Sequence, residues 1–164
     1  MMGKIGFSLI LALALVTLST SSERKCVLSG SWKSSVGCKM VVSELSEAGV
    51  FSGSYLSAAM APKADRLPSR LHGIQHGASL TEQPTFGFTV KWQFSESPPD
   101  SMSVFVGQCF VDDQGEETLQ TMWLLRQEVG SPGADWEATR VGTNVFTRFK
   151  GQNMGESMRS DGAR

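Results

Sequence analysis

The chain has 164 residues, 40% hydrophobic and 19% charged, with a formal net charge of −1. That length fits one domain, and the apolar share is enough to fill a core, which excludes a disordered chain. The near-zero charge gives no electrostatic reason to bind nucleic acid or an anionic membrane.

In chain order, residues 1–22 read as a secretory signal peptide. Lys4 is the positive flank, Ile5 to Leu18 form a short apolar core, and Ser19 to Ser22 are the small residues before a cleavage site. The apolar run is too short and wrongly flanked for a membrane span. The leader predicts a secreted, extracellular protein, in a compartment where disulfides persist. There are three cysteines, Cys26, Cys38 and Cys109, so an intramolecular bridge leaves one thiol over.

Residues 23–149 are dominated by a period of two. Phe86, Phe88, Val90, Trp92 and Phe94 alternate with Gly87, Thr89, Lys91 and Gln93, the pattern of a strand with one buried face. Comparable runs predict strands over 27–33, 39–45, 50–57, 71–78, 86–94, 102–111, 118–126 and 138–149. Turn residues separate them, at 34–37, 46–49, 97–100 and 112–115. The Gly/Pro segment 130–135, just before Trp136, has room for one short helical turn. Eight antiparallel strands joined by hairpins predict an all-β fold, a closed up-and-down barrel or a sandwich, and alternation does not choose between them. Residues 150–164 are polar, lack any period and read as a flexible C-terminal tail.

Catalytic chemistry finds little support. His72 and His76 lie near one strand without further ligands and read as polar strand positions rather than a metal pair. No EF-hand spacing and no phosphate-cradling glycine loop occur. The expectation is a protein with no catalytic residue, no metal and no cofactor.

Several runs are more specific. Gln83-Pro84-Thr85-Phe86-Gly87-Phe88-Thr89-Val90 is followed by Trp92, Phe94-Ser95-Glu96-Ser97 and Gly107-Gln108-Cys109-Phe110. Then come Thr121-Met122-Trp123-Leu124-Leu125-Arg126, Asp135-Trp136, Ala138-Thr139-Arg140-Val141-Gly142 and Asn144. Taken in order, from about Lys25 to Phe149, they resemble the avidin family of biotin-binding proteins, nearest its egg branch. The resemblance implies an eight-stranded antiparallel up-and-down β-barrel that binds biotin without catalysis, to sequester or carry it. The alternative kept open is a lipocalin-like carrier of another small apolar ligand. The resemblance also implies a Cys26–Cys109 disulfide, with Cys38 left free.

It further implies a ligand set. Ser34, Cys38 and Tyr55 would surround the ureido oxygen of biotin, and Ser57 and Asn144 would accept from its N–H groups. Trp92, Phe94, Phe105, Trp123 and Leu125 would form the walls, with Phe94 shared between wall and core. The backbone N–H of Ala61 and the hydroxyls of Ser95 and Ser97 would hold the carboxylate. Trp136 would cap the site of a neighbouring subunit. The implied assembly is a homotetramer, with a dimer as the alternative.

Some positions depart from the family pattern. Cys38 stands where a serine usually donates, and a thiol is a weak donor. Met60 lacks a hydroxyl, and Pro62 has no backbone N–H to give. Thr143 stands where an isoleucine makes an apolar contact between subunits, beside Met122 and Val141. The longer segment 98–102 unsettles the alignment that would place Ser103 at the thioether sulfur. Together these predict biotin binding that is tight but somewhat weaker than that of the tightest members.

Overall fold

A strand with alternate apolar residues must bury one face, and eight such strands can do so by closing on themselves. The computed structural model describes residues 25–58, 67–77, 83–93 and 99–150. Its strands are β1 (Gly30–Ser34), β2 (Lys39–Val42), β3 (Val50–Leu56), β4 (Ser69–Gln75), β5 (Thr85–Lys91), β6 (Ser101–Val111), β7 (Glu117–Gln127) and β8 (Thr139–Arg148). Each pairs with the next, and β8 returns to β1, giving a closed antiparallel barrel rather than a sandwich. The signal peptide, the tail beyond Lys150, and Met60, Ala61, Pro62, Phe94, Ser95 and Ser97 lie outside the described residues.

The strands differ from the sequence expectation mainly at their ends. β1 starts at Gly30 rather than at 27 because residues 25–29 find other hydrogen-bond partners. The Val27 N–H donates to Glu117 Oε1 at 2.6 Å, and the Arg148 guanidinium donates to the carbonyl of Ser29 at 2.7 Å and to that of Val27. Gly30 makes the change of direction at φ 113°, a conformation open to a residue without Cβ. β5 ends at Lys91, since the Gln93 N–H turns aside to Ser69 Oγ at 2.9 Å. The 130–135 loop does hold a helical turn, a 3-10 helix over Pro132–Glu137 with a proline in its first turn.

The interior has a filled end and a hollow end. Trp32, Met40, Leu71, Leu119 and Phe146 are fully buried at the filled end. Phe88 stacks on Phe105 with centroids 4.6 Å apart and meets Phe51 edge-on at 6.4 Å. Burying one such indole or phenyl removes enough apolar surface to contribute about 4–6 kcal/mol as an upper bound.

The residues 25–29 strap closes this end. Arg148 lies over the Trp32 ring, 3.8 Å from its centroid, and pairs with Glu117 at 2.6 Å. Cys26 and Cys109 form a disulfide that spans 83 residues of sequence, with Cα atoms 5.7 Å apart. Cys38 is free and buried.

Candidate ligand-binding site

At the hollow end the inward positions of four strands, the β1–β2 turn and residues just past β3 and β5 enclose a cavity of about 200 Å³. The same alternation that fills one end lines the other. On β7, Trp123 and Leu125 point inward; on β6, Ser103 and Phe105; on β8, Arg140 and Asn144. Trp92 just beyond β5, Tyr55 of β3, and Ser57 and Cys38 beside their strands complete the lining.

Space for the Trp123 indole comes from Gly142, its register partner on β8. A Cβ at Gly142 would sit 2.3 Å from Trp123 Cζ2. No side chain fits there without moving the ring, so the glycine fixes one wall.

The other walls are held by hydrogen bonds and ring contacts. Trp92 Nε1 donates to Ser103 Oγ at 2.8 Å. The Tyr55 ring meets Trp92 edge-on and Phe105 at a tilt, each with centroids 5.4 Å apart. Such contacts each add about 0.5–1.5 kcal/mol beyond area burial and lock the rings against rotation.

The floor is polar and uncharged. Asn144 Nδ2 donates to the Tyr55 hydroxyl at 3.1 Å, and Thr121 Oγ1 donates to the backbone carbonyl of Asn144 at 2.8 Å. A hydroxyl that accepts from Asn144 keeps its own proton to give. An amide whose nitrogen is engaged keeps its oxygen to accept. Burial pushes the Tyr55 phenol well above its ordinary ionisation range; the Cys38 thiol adds to this and the Asn144 hydrogen bond partly offsets it. Tyr55 therefore remains a donor throughout the physiological range.

Of the residues expected from sequence, the cavity gathers Cys38, Tyr55, Ser57, Trp92, Phe105, Trp123, Leu125 and Asn144. Ser34 is buried in the neighbouring β1–β2 hairpin, where its Oγ accepts from the Cys38 N–H at 3.0 Å. It supports Cys38 from beside the cavity. Trp136 lies on the 3-10 helix, 80% exposed and outside its own chain's cavity.

Two lining residues carried no expected role, Val36 and Arg140, and the cavity also takes in Ser103. Arg140 was findable, because it shares the parity of Asn144 on β8. Val36 sits in a turn, where no period exists to place it. A wider groove of about 720 Å³ lies at the opposite pole, between the strap and the β2–β3 turn. Its described walls hold no aromatic side chain, so it has no flat surface on which to grip a ring.

Neutral donors and acceptors at the base of an aromatic-walled space suit a small ligand with a polar head and an apolar body. The sequence profile of the avidin family matches residues 22–149. Avidin from Gallus gallus is 48% identical over 144 residues, covering 88% of this chain and 91% of that protein. Avidin-related protein 4/5 from Gallus gallus is 49% identical over 141 residues, covering 86% of this chain and 89% of its own. Among solved structures, a biotin binding protein from chicken superposes with a TM-score of 0.69 at 54% identity, covering 77% of this chain and 99% of that one. Xenavidin superposes with a TM-score of 0.67 at 42% identity, covering 77% and 100%.

Proposed function

The chain belongs to the avidin family, and from that premise we propose that it captures biotin in the hollow end of its barrel. It is a binding protein and not an enzyme, as its family is non-catalytic. One observation carries the proposal: aromatic walls and an uncharged hydrogen-bonding floor converge on a single cavity of about 200 Å³.

The roles follow from complementarity. Tyr55 and Cys38 donate to the ureido oxygen, with Ser34 supporting Cys38 from the adjacent turn. Fixed donors draw negative charge onto that oxygen without reorganising, the electrostatics used in oxyanion holes. Ser57 and Asn144 accept from the ureido N–H groups. Trp92, Phe105, Trp123 and Leu125 enclose the thioether ring. Ala61, Ser95 and Ser97 serve the carboxylate, and Phe94 completes the wall. Because a thiol donates weakly, Cys38 leaves affinity below that of the tightest relatives.

The protein is secreted after removal of residues 1–22, and its role is to sequester or carry biotin. It assembles as a homotetramer, with Trp136 capping a neighbour's cavity. Two observations support assembly. Val104, Val106, Met122, Leu124 and Val141 are exposed and adjacent on the outer face of β6–β8, and such a contiguous apolar patch favours burial against another copy. Trp136 stands at 80% exposure with no partner ring among the described residues.

Calorimetric titration of the secreted protein with biotin, and with an analogue altered at the ureido carbonyl, tests the reading. The expected result is saturable binding of biotin and a large loss with the analogue. Preference for a fatty acid or retinoid over biotin would overturn it. Light scattering with and without biotin tests the assembly, and a monomer in both states would rule it out.

A further inference from the structure

We propose that Arg140 reads the charge of the ligand, making the site selective for biotin as the free carboxylic acid over its uncharged amides and esters. The inference rests on the biotin reading above and adds a specificity-determining residue to it.

Arg140 occupies an unusual place. It is on the inward parity of β8, with Gly142, Asn144, Phe146 and Arg148, yet it stands at the open end and is solvent-exposed. Among the described residues lining the cavity it is the one that carries charge. The other β8 arginine, Arg148, is spoken for by Glu117 and by the carbonyls of Val27 and Ser29. Arg126 is held by Asp135 and Thr139. Arg140 has no ion pair or hydrogen bond among the described residues.

An exposed guanidinium at the rim stays hydrated and has no protein anion beside it among the described residues, so the charge of an incoming ligand is the one it can answer. A carboxylate at the outer end of a bound ligand supplies that charge. The polar floor fixes which way round the ligand sits. With its ureido head on Tyr55 and Asn144, the acid end of biotin faces the rim, where the guanidinium can form a forked pair with it. Backbone N–H and hydroxyl donors also bind a carboxylate, but they bind a neutral amide oxygen too. A full positive charge separates the two.

The test is a cycle of two proteins and two ligands: the full secreted protein and its Arg140→Gln variant, each with biotin and with biotin amide. Dissociation rates are read at low and at physiological salt. The pair is partly exposed, so solvent screens it. The expected effect is a threefold to tenfold faster loss of the free acid in Arg140→Gln, with the amide unchanged. Added salt should speed loss of the acid from the native protein and leave the variant indifferent. Arg140→Lys should restore part of the preference. Equal effects of Arg140→Gln on acid and amide, or no effect on either, would overturn the proposal while leaving biotin capture intact. Failure of the native protein to bind both ligands would sink the biotin reading and this one with it.

Discussion

The two ends of the barrel are built from the same alternation and do opposite things. At the filled end, Trp32, Met40, Leu119 and Phe146 reach 0% exposure, and the strap, the disulfide and Arg148 seal what remains. At the hollow end, Trp92, Trp123 and Asn144 stay partly exposed around open volume. An unfilled apolar space forfeits dispersion contacts and destabilises the free protein. The filled end offsets that cost. Stability and recognition are thus separated along the barrel axis, and a tryptophan has a different consequence at each pole.

The sharpest way to break the comparison exchanges one indole at a time. Trp32→Ala should lower unfolding free energy by about 3–5 kcal/mol, read by denaturant titration. Trp123→Ala should cost the free protein much less, because that ring already borders a void, yet should speed biotin dissociation by about a hundredfold or more. Similar stability losses at both sites would erase the division.

Opening the Cys26–Cys109 bridge comes next. The loop it closes is long, and Cys26→Ser with Cys109→Ser should remove about 2–5 kcal/mol of stability. Biotin capture by the protein that remains folded should be little changed, since the bridge lies at the other pole. Cys38→Ser acts at the hollow end alone. A hydroxyl in place of the thiol should slow biotin dissociation by roughly tenfold, about 1–2 kcal/mol, with a small change in melting temperature. An unchanged or faster off-rate would mean that Cys38 does not meet the ligand.

Alkali probes the floor. Tyr55 is the chain's one tyrosine, so phenolate absorbance reports it alone. Its folded-state ionisation lies above the unfolded value near 10. The stability tied to its protonated form is therefore intact below pH 10 and is lost as pH rises beyond it. The loss is on the order of 1 kcal/mol per pH unit at first. Phenolate absorbance should appear with unfolding rather than before it, and Tyr55→Phe should remove this share of the alkaline slope.

The strands and turns were legible in the sequence, whereas the division into two ends was not. The spacing of Phe86, Phe88 and Val90 marks a buried face, and the turn residues mark the hairpins, because both signals are local. Closure is not local. The β1–β8 seam joins Trp32 to Arg148 and Ser34 to Phe146, pairs more than a hundred residues apart, and alternation within either strand carries no trace of it. The start of β1 was misplaced for the same reason: the groups that satisfy Val27 and Ser29 come from Glu117 and Arg148.

In the site, Tyr55, Trp123 and Leu125 came from the family resemblance, and parity placed each only on an inward face. The need for Gly142 was not findable, because it follows from the width of a ring on the next strand. Ser34 was expected at the ligand, and its hydroxyl also braces the turn that carries Cys38, a contact that parity does not reveal.

The seam has one more consequence. Strand β1 begins, and strand β8 ends, at the sealed pole, where Phe149 donates its N–H to the carbonyl of Ser31. A reporter or surface tether joined near Lys25 or Lys150 would hang behind the molecule, leaving the mouth unobstructed. With the start of β1 and the end of β8 side by side, a short linker could join those strands and new ends could be cut in a hairpin, giving a circularly permuted form of the same closed sheet.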